Sequence, residues 1–418
     1  MIIAIIAPGS RGDVQPYVAL GAGLHAAGHT VRLLTTTDFR GLVTAYGLTF
    51  VAIGGDVQAA AQSQMADLLA QGDLRKILAS TGRGAQQMAE ASAVSGLAAC
   101  QDVDLLIGGL GGLFIGLALA EKVGVPFVQS YLVPFTPTRA FPSALTPLPQ
   151  TPWTTWANGL SHRLTQQMLW QMFRKADIKV RAQVLHIRPS PFWGPPIARA
   201  GRGEPILYGY SPQVIPPPAD WDASIHVTGY WFLEPPAAWE PQADLVRFLD
   251  TGAPPVYIGF GSMASSAPGA AAELVVQALA RAGQRGVMYA GWGGLSREHL
   301  PDHVFMTESV PHSWLFPRMA AVAHHGGAGT TAAGLAAGIP SIVIPFFGDQ
   351  PFWGARVQGL GVGPRPIPRR RLTSENLAEA IGIATSDTAM QQRARDLGER
   401  IRAEDGIAAA VAVIERRP

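Results

Sequence analysis

The sequence predicts an α/β protein of two domains, each built on a parallel sheet. Short apolar runs alternate with segments of helical periodicity along most of the chain, which is the order of a doubly wound sheet. Glycine-rich turns follow several of these runs, at the strand ends where ligands bind in open α/β sheets. With 418 residues, the chain is also long enough for two domains of ordinary size.

The amino-terminal domain is predicted to begin with a strand, Ile2–Ala7, followed by a loop at Pro8–Asp13 and a helix over Val14–Ala27. Gly28 ends that helix. The small residues of Ala59–Ala99 predict further helix. Short apolar runs predict three more strands, at Val31–Thr35, Leu105–Ile107 and Phe127–Gln129.

From Pro134 to Trp193 the alternation stops, and prolines and large aromatic residues take its place. Ligand sites are commonly concave and lined by aromatic side chains, so this section predicts a lid or an acceptor pocket. Packing of a helix face is an equal alternative, because two of the aromatic residues are three positions apart. The candidate acceptor contacts are Phe135, Trp153, Trp156, Trp170 and Phe173.

Pro212–Asp222 is the best candidate for a linker, because its three consecutive prolines sustain neither a helix nor a central strand. The alternation restarts at Val256–Phe260. Later strands are predicted at Val287–Ala290, Val304–Met306, Ala320–Ala323 and Ser341–Phe346, before helices that start at Ser374 and Thr388. We therefore divide the chain into residues 1–215, 223–395 and a terminal helical segment, 396–418.

The most informative stretch, Ala320–Gly354, combines a strand, a glycine-rich loop, a helix and a second strand. Glycines let the backbone approach a ligand closely, and the free N–H groups at a helix start attract an anion. His325 and the hydroxyl group of Thr330 can add hydrogen bonds to phosphate oxygens. The loop therefore predicts a diphosphate site.

Asp349 and Gln350 follow the second strand of this stretch and suit the hydroxyl groups of a sugar. A phosphate-binding loop followed by residues that hydrogen-bond hydroxyl groups suggests a nucleotide-sugar ligand. Gly327, Gly329 and Ala332 also satisfy a loose dinucleotide pattern, which favours a nicotinamide-dependent oxidoreductase as an alternative. Glycine-rich turns also cap helices without binding a ligand.

The loop GSRGDVQP places Asp13 where the first strand gives way to a helix. A carboxylate there can act as a general base that deprotonates an acceptor alcohol. Capping of a helix that begins at Val14 is the alternative role, and the two roles are compatible. Among the other glycine turns, Gly261–Met263 predicts either a further phosphate contact or a plain βα turn, and Trp292 is a candidate either to stack on a base or to pack in the core.

The composition of the chain disfavours several classes of partner and site. The chain is 48% hydrophobic and 15% charged with a net charge of +2, which indicates a globular protein and disfavours nucleic acid. The single cysteine, Cys100, excludes an internal disulfide and fits the cytoplasm. Leu105–Ala120 is too short to span a bilayer. Asp102 and Asp104 have the spacing of a metal-binding pair, but no further ligand lies nearby, so no metal is expected.

With these loops in view, the sequence resembles the inverting nucleotide-sugar glycosyltransferases of the GT-B fold. It is most similar to the sterol 3-beta-glucosyltransferases and their bacterial relatives that glycosylate macrolides and glycopeptides. The motifs that carry the resemblance are GSRGDVQP at Gly9–Pro16, GFGSM at Gly259–Met263, HHGGAGTT at His324–Thr331 and PFFGDQPFWG at Pro345–Gly354.

The resemblance implies two Rossmann-like domains that face each other across a cleft, with the terminal helix crossing back to the first domain. By similarity, Asp13 is the general base, and Val310 and His312 flank the uracil. The full set of other candidate donor contacts, from the resemblance and from the residues themselves, is Ser10, Arg11, Gly12, Ser262, Trp292, His325, Gly327, Ala328, Gly329, Thr330, Asp349 and Gln350.

The expected function is therefore transfer of glucose from UDP-glucose to the hydroxyl group of a sterol or similar hydrophobic alcohol, with inversion and without a metal or other cofactor. Another natural-product acceptor with a UDP- or TDP-sugar is the first alternative. An oxidoreductase and a non-catalytic lipid- or nucleotide-sugar-binding protein are alternatives of other classes. The basic cluster Arg369–Arg371 is expected to be a solvated loop, with transient contact with a membrane surface as the alternative.

Overall fold

The computed structural model of the chain describes residues 1–54, 89–146, 155–195, 197, 204–236, 238–260, 268–289, 300–308 and 310–417. The described residues up to Leu233, together with those from Glu404 onward, form one compact unit, called unit 1. Glu234–Ala403 form unit 2. The proline-rich stretch Pro212–Asp222 lies between two strands of the unit 1 sheet.

Within the described residues, each unit contains one parallel sheet, as the alternation of apolar runs predicts. The sheet of unit 1 has the order β3-β2-β1-β4-β5-β6-β7, and that of unit 2 has the order β10-β9-β8-β11-β12. The strands are β1 Ile2–Ile6, β2 Thr30–Thr35, β3 Thr49–Ala52, β4 Leu105–Gly108, β5 Phe127–Tyr131, β6 Ile206–Tyr208, β7 Ile225–Val227, β8 Val256–Gly259, β9 Gly286–Tyr289, β10 Val304–Thr307, β11 Ala321–His324 and β12 Ser341–Val343. The prediction of an α/β protein with two parallel sheets is therefore confirmed.

The helices pack on these sheets, and residues 89–99 are also helical. The labelled helices are α1 Arg11–Ala26, α2 Arg40–Ala45, α3 Leu113–Val123, α4 Thr155–Lys179, α5 Ala243–Asp250, α6 Pro268–Arg281, α7 His312–Leu315, α8 Ala328–Ala337, α9 Gln350–Gly359, α10 Ser374–Ser386, α11 Thr388–Arg402 and α12 Gly406–Glu415. A π-helical turn, Val180–Leu185, continues α4.

The core of unit 1 lies between its sheet and α1, where apolar side chains of β1 and α1 are fully buried. The last helix, α12, packs against α1 so closely that a side chain at Gly23 would collide with Ile407. The core of unit 2 lies on both faces of its sheet, because the buried side chains of β8 and β11 alternate between two clusters.

In each sheet, one interior strand ends at a loop that leads directly into a helix. In unit 1, β1 lies between β2 and β4 and leads into α1. In unit 2, β11 lies between β8 and β12 and leads into α8. Because both sheets are parallel, these loops lie at the carboxyl edge, the edge that binds ligands in such folds.

Candidate functional site

The loop after β1 is built around the carboxylate of Asp13. Ser10 is the N-cap of α1, and one oxygen of Asp13 accepts hydrogen bonds from the Ser10 backbone N–H at 2.9 Å and from its hydroxyl group at 2.8 Å. Gly9 has a φ of +146°, and a Cβ atom there would lie 2.6 Å from the same oxygen. Only glycine therefore leaves room for the carboxylate in this position.

This geometry corrects the predicted start of the helix. The helix begins at Arg11, three residues earlier than predicted, so Ser10 is the N-cap and Asp13 closes the first turn. Arg11 donates a hydrogen bond from Nε to the side chain of Gln15 at 2.9 Å, along the helix surface. Gly12 is exposed, and within the described part of the chain a side chain added there would meet only the Ser10 hydroxyl oxygen, at 3.7 Å.

The Asp13 side chain can be reached by solvent, yet protein surrounds it closely enough to affect its charge. Desolvation raises the pKa of this carboxyl group, and the two hydrogen bonds from Ser10 oppose the shift because they favour the carboxylate. A solvent-accessible carboxylate with a raised pKa is a better proton acceptor than an ordinary aspartate.

The loop after β11 contains two neutral histidines. Burial lowers the pKa of His324 to about 3, and its Nδ1 atom accepts a hydrogen bond from the backbone N–H of Gly326 at 3.0 Å. Burial lowers the pKa of His325 to about 4, although this side chain is only partly buried. A Cβ atom at Gly327 would lie 2.5 Å from Nε2 of His325. The His325 ring therefore lies against Gly327, the residue that directly precedes the first helical turn.

Gly327 is the N-cap of α8, and Ala328, Gly329 and Thr330 form its first turn. The backbone N–H groups at these first positions have no acceptor within an α-helix. The carbonyl group of Gly327 accepts hydrogen bonds from the N–H and the hydroxyl of Thr331, both at 2.9 Å, which fixes the turn. Among the described residues, no atom lies within 4 Å of the position that a side chain at Gly329 would take, which leaves space beside the turn.

Asp349 and Gln350 lie beside this loop, because a Cβ atom at Gly326 would be 3.1 Å from the backbone oxygen of Gln350. Asp349 is the N-cap of α9 and accepts a hydrogen bond from the indole N–H of Trp353 at 2.8 Å. Gln350 is buried, and its side-chain oxygen accepts hydrogen bonds from the backbone N–H groups of Phe346 at 2.7 Å and Phe347 at 3.2 Å. Only its NH₂ group remains available for a ligand.

Trp353 is a contributor that the sequence reasoning missed. Its side chain is fully buried, and its N–H fixes one oxygen of the Asp349 carboxylate. The spacing of four residues within one helix was the available signal, because such residues lie on the same face.

Of the predicted contacts to the base, Val310 and His312 lie within the described residues. His312 stacks on Phe316, with ring centroids 4.2 Å apart and an angle of 14° between the planes, and it meets the edge of Tyr257. Val310 packs beside the same apolar cluster. Ser262, Trp292 and the acceptor candidate Trp153 lie outside the described residues.

The aromatic acceptor candidates separate into buried and exposed side chains. Phe135 and Trp170 are each 1% exposed, so as they stand they offer no surface to an acceptor and pack in the interior instead. Phe173 packs against Phe114 with ring centroids 5.4 Å apart. Trp156, in contrast, is 74% exposed. The four described candidates therefore do not form one exposed pocket lining, although Trp170 and Phe173 both contact Phe114.

The described residues show neither a metal-binding cluster nor a helix that could cross a membrane. They contain no group of three or more His, Cys, Asp or Glu side chains arranged to hold a metal ion. None of the helices in the described ranges is both long and apolar enough to cross a membrane.

Comparison with known families gives matches in both halves of the chain. The glycosyltransferase family 28 N-terminal domain matches residues 3–142. The erythromycin biosynthesis protein CIII-like C-terminal domain matches residues 293–413.

A sterol 3-beta-glucosyltransferase of Arabidopsis thaliana is 37% identical, over 99% of this chain and 68% of the relative. A sterol 3-beta-glucosyltransferase of Cryptococcus neoformans is 36% identical, over 100% of this chain and 27% of the relative. The chain thus spans about two thirds of the plant relative and about a quarter of the fungal one.

Solved structures show the same fold at lower identity. The glycotransferase of kitacinnamycin superposes with a TM-score of 0.70 at 22% identity, covering 99% of this chain and 98% of that one. A glycosyltransferase of Streptomyces sp. SF2575, solved with thymidine diphosphate, superposes with a TM-score of 0.64 at 19% identity, covering 100% of this chain and 99% of that one.

Proposed function

Because the chain belongs to the family of the sterol 3-beta-glucosyltransferases, and is therefore a glycosyltransferase, we propose that it transfers glucose from UDP-glucose to the hydroxyl group of a sterol or a similar hydrophobic alcohol. Transfer proceeds with inversion at the anomeric carbon. The observation that carries the proposal is the Asp13 carboxylate, which is solvent-accessible, fixed by Ser10 and raised in pKa at the carboxyl end of β1.

Asp13 acts as the general base in this proposal. It accepts the proton of the acceptor hydroxyl group as that oxygen bonds to the anomeric carbon and the bond from this carbon to the diphosphate breaks. Base catalysis of this kind contributes typically ~10² to 10⁴-fold in rate. The raised pKa supports this role, because a base with a higher pKa takes up a proton more readily.

The turn at the start of α8 is proposed to hold the diphosphate of the donor and of the product UDP. Its first N–H groups and the helix dipole favour an anion, and the small side chains of Ala328 and Gly329 leave room for one. His325 is neutral at pH 7 because its pKa is about 4, so it would donate a hydrogen bond rather than add a full positive charge. These donors stabilise the negative charge that develops on the leaving diphosphate.

Asp349 and the NH₂ group of Gln350 are proposed to contact the hydroxyl groups of the sugar. The indole N–H of Trp353 fixes the direction of the Asp349 carboxylate, which is proposed to accept a hydrogen bond from a sugar hydroxyl. The backbone bonds to Gln350 fix its amide plane and thereby the direction of its NH₂ group.

A second candidate acceptor is a natural-product alcohol such as a macrolide, because the carboxyl-terminal part matches the erythromycin biosynthesis domain. Radiolabelled UDP-glucose and TDP-glucose, each incubated with a panel of sterols and macrolide aglycones, separate the two. We expect label from UDP-glucose in a sterol β-glucoside, identified by mass spectrometry and by the anomeric proton coupling. Label only in a macrolide product would favour the second candidate, and absence of transfer and of donor hydrolysis would reject both.

A further inference from the structure

Helix α11 lies against the carboxyl ends of the two helices whose first turns form the candidate donor site, and all three helices belong to unit 2. α8 begins with the proposed diphosphate turn and has Gly338 as its C-cap. α9 begins at Gln350, beside the proposed sugar contacts, and ends at Gly359. One arginine of α11 binds the chain at each of these two carboxyl ends.

Arg402, the last residue of α11, binds the end of α8. One Nη atom of its guanidinium group donates a hydrogen bond to the backbone carbonyl oxygen of Ala336. The carbonyl groups in the last turn of a helix have no N–H partner within that helix, and they form the negative end of its dipole. The guanidinium group therefore satisfies one of these oxygens and places a positive charge beside the negative end of α8.

The backbone of α11 also touches the end of α8. Gly338 has a φ of +72°, the left-handed conformation in which many helices end. A Cβ atom at Gly398 on α11 would lie 2.6 Å from the Cα atom of Gly338, so the two backbones come this close only because both residues are glycine. A contact between backbones adjusts less than one made by long side chains, and it fixes where α8 ends.

Arg393 makes the corresponding contact at the end of α9. Its Nε atom donates a hydrogen bond to the carbonyl oxygen of Gly361 at 2.8 Å. Gly361 follows the C-cap of α9, Leu360, and has a φ of +67°. A Cβ atom at Gly361 would lie 2.7 Å from Nε of Arg393, so the side chain lies directly against the backbone there. Arg393 thus fixes the point at which the chain leaves α9.

These contacts act on the donor site from the opposite end of each helix. α8 and α9 have ten residues each, so each is about 15 Å long, and neither arginine reaches the first turn itself. Arg393 and Arg402 are both exposed, so neither fills the core. A helix moves largely as one stiff element, so a displaced carboxyl end also displaces the first turn. Small displacements of binding groups have large effects on how a ligand is held.

We propose that Arg402 and Arg393 are positioning residues for two different parts of the donor. Arg402 holds α8 so that its first turn meets the diphosphate, and Arg393 holds α9 so that Asp349 and Gln350 meet the sugar. The inference rests on the proposed function, which assigns the starts of α8 and α9 to these two parts of a nucleotide-sugar. It adds that each part is supported separately, by an arginine at the other end of the helix.

The test is isothermal titration of the full chain with uridine, UDP and UDP-glucose. In Arg402→Gln, we expect the Kd of UDP to rise about fivefold and that of uridine to stay unchanged, because uridine carries no diphosphate. In Arg393→Gln, we expect the Kd of UDP to stay unchanged and that of UDP-glucose to rise about fivefold, because only the sugar contacts move. A loss of stability alone would not separate the three ligands in this way.

Matched variants make the result specific. Arg400→Gln changes another exposed arginine of α11, which takes part in neither contact, and should bind all three ligands like the wild type. Arg402→Lys and Arg393→Lys keep a positively charged donor and should bring each Kd to within about twofold of the wild type. Gly398→Ala forces α11 away from α8 without changing a charge, so it should repeat the pattern of Arg402→Gln. Circular dichroism establishes that each variant is folded.

Two outcomes in the variants would overturn the inference while leaving the proposed function intact. One is unchanged affinity for UDP in both Arg402→Gln and Gly398→Ala, together with unchanged affinity for UDP-glucose in Arg393→Gln. The other is an equal loss of affinity for all three ligands in the glutamine variants, which would assign the arginines to general stability. A wild type that binds neither UDP nor UDP-glucose would instead reject the proposed donor, and the inference with it.

Discussion

The loop after β1 and the loop after β11 have the same plan but opposite chemistry. Each places a glycine with positive φ before the N-cap, at Gly9 with +146° and Gly326 with +90°. The N-cap is Ser10 in the first loop and Gly327 in the second, and the third residue of the helix is Asp13 in the first and Thr330 in the second. The two loops therefore differ in whether the first turn of the helix carries a charged side chain.

In unit 1 the positive end of the helix is already next to a carboxylate of the chain itself. In unit 2 the third position carries a hydroxyl group, so the N–H groups remain available to an external anion. Desolvation by the surrounding protein acts on both loops in the same sense, because it disfavours charge: it raises the pKa of Asp13 and lowers that of His325. The third residue of the helix, Asp13 in one loop and Thr330 in the other, thus distinguishes a candidate general base from a candidate diphosphate site.

The largest effect is expected from removing the charge in unit 1. Asp13→Asn keeps an oxygen that can accept the Ser10 hydrogen bonds, but it cannot take up the proton, so turnover should fall by ~10² to 10⁴-fold. Steady-state transfer of labelled glucose measures this loss. Near-normal turnover in the folded variant would reject Asp13 as the base.

The same variant should not lose stability at neutral pH. The folded state raises the pKa of Asp13, so the folded protein binds this proton more tightly than the unfolded chain. Stability is therefore lost as pH rises through the window above the ordinary carboxyl pKa, and an amide avoids that cost. A thermal midpoint equal to or above that of the wild type at pH 7 is expected.

The second effect comes from giving the unit 2 loop the charge of the unit 1 loop. Thr330→Asp places a carboxylate at the third position of α8, where it repels a diphosphate and competes for the same N–H groups. We expect the Kd of UDP to rise about 100-fold, which corresponds to about 2.7 kcal/mol. Isothermal titration measures it, and Thr330→Ser, which keeps the hydroxyl group, is the matched control. Unchanged affinity in the aspartate variant would show that the diphosphate binds elsewhere.

A strand is predicted from the sequence when its own run of apolar residues is long enough to be recognised. Buried central strands such as β1 and β11 are predicted because their apolar runs are sufficient by themselves. The short strands β6 and β7 are not, because three residues such as Ile225–Val227 carry too little pattern. The strand β12 is predicted, but its end is wrong, because the strand stops at Val343 although the apolar run continues to Phe346.

Side-chain direction is the part that the sequence cannot supply. Trp156 and Trp170 belong to the same helix and the same compositional pattern, yet one is 74% exposed and the other 1%. Apolar residues on more than one face of α4 remove the periodicity that would separate the inner from the outer face. The hydrogen bond from Trp353 to Asp349 was missed for a related reason, since a buried tryptophan is ordinarily a packing residue.

The third effect concerns the stability of the unit 2 loop in acid. Folding lowers the pKa of His325 to about 4, so between about pH 6.5 and pH 4 the unfolded chain binds more protons than the folded protein. Stability contributed by this group is therefore lost as pH falls through that window. Between pH 7 and pH 5, the unfolding free energy of the wild type should therefore fall by about 2 kcal/mol more than that of His325→Asn. Denaturant titrations at the two pH values measure this, and an equal decrease in both proteins would contradict the burial of a neutral imidazole.

The smallest effect comes from weakening the support of Asp13 while keeping its charge. Ser10→Ala removes the hydroxyl bond at 2.8 Å but keeps the backbone N–H bond, so the pKa of Asp13 should rise further because less of the carboxylate is stabilised. The acidic limb of the kcat/KM profile should move to higher pH, while kcat on the plateau changes less than about twofold. Ser10→Thr keeps a hydroxyl group and should leave the limb in place. If the limb stays in place in Ser10→Ala as well, another group controls it, and the base in unit 1 must be sought outside this loop.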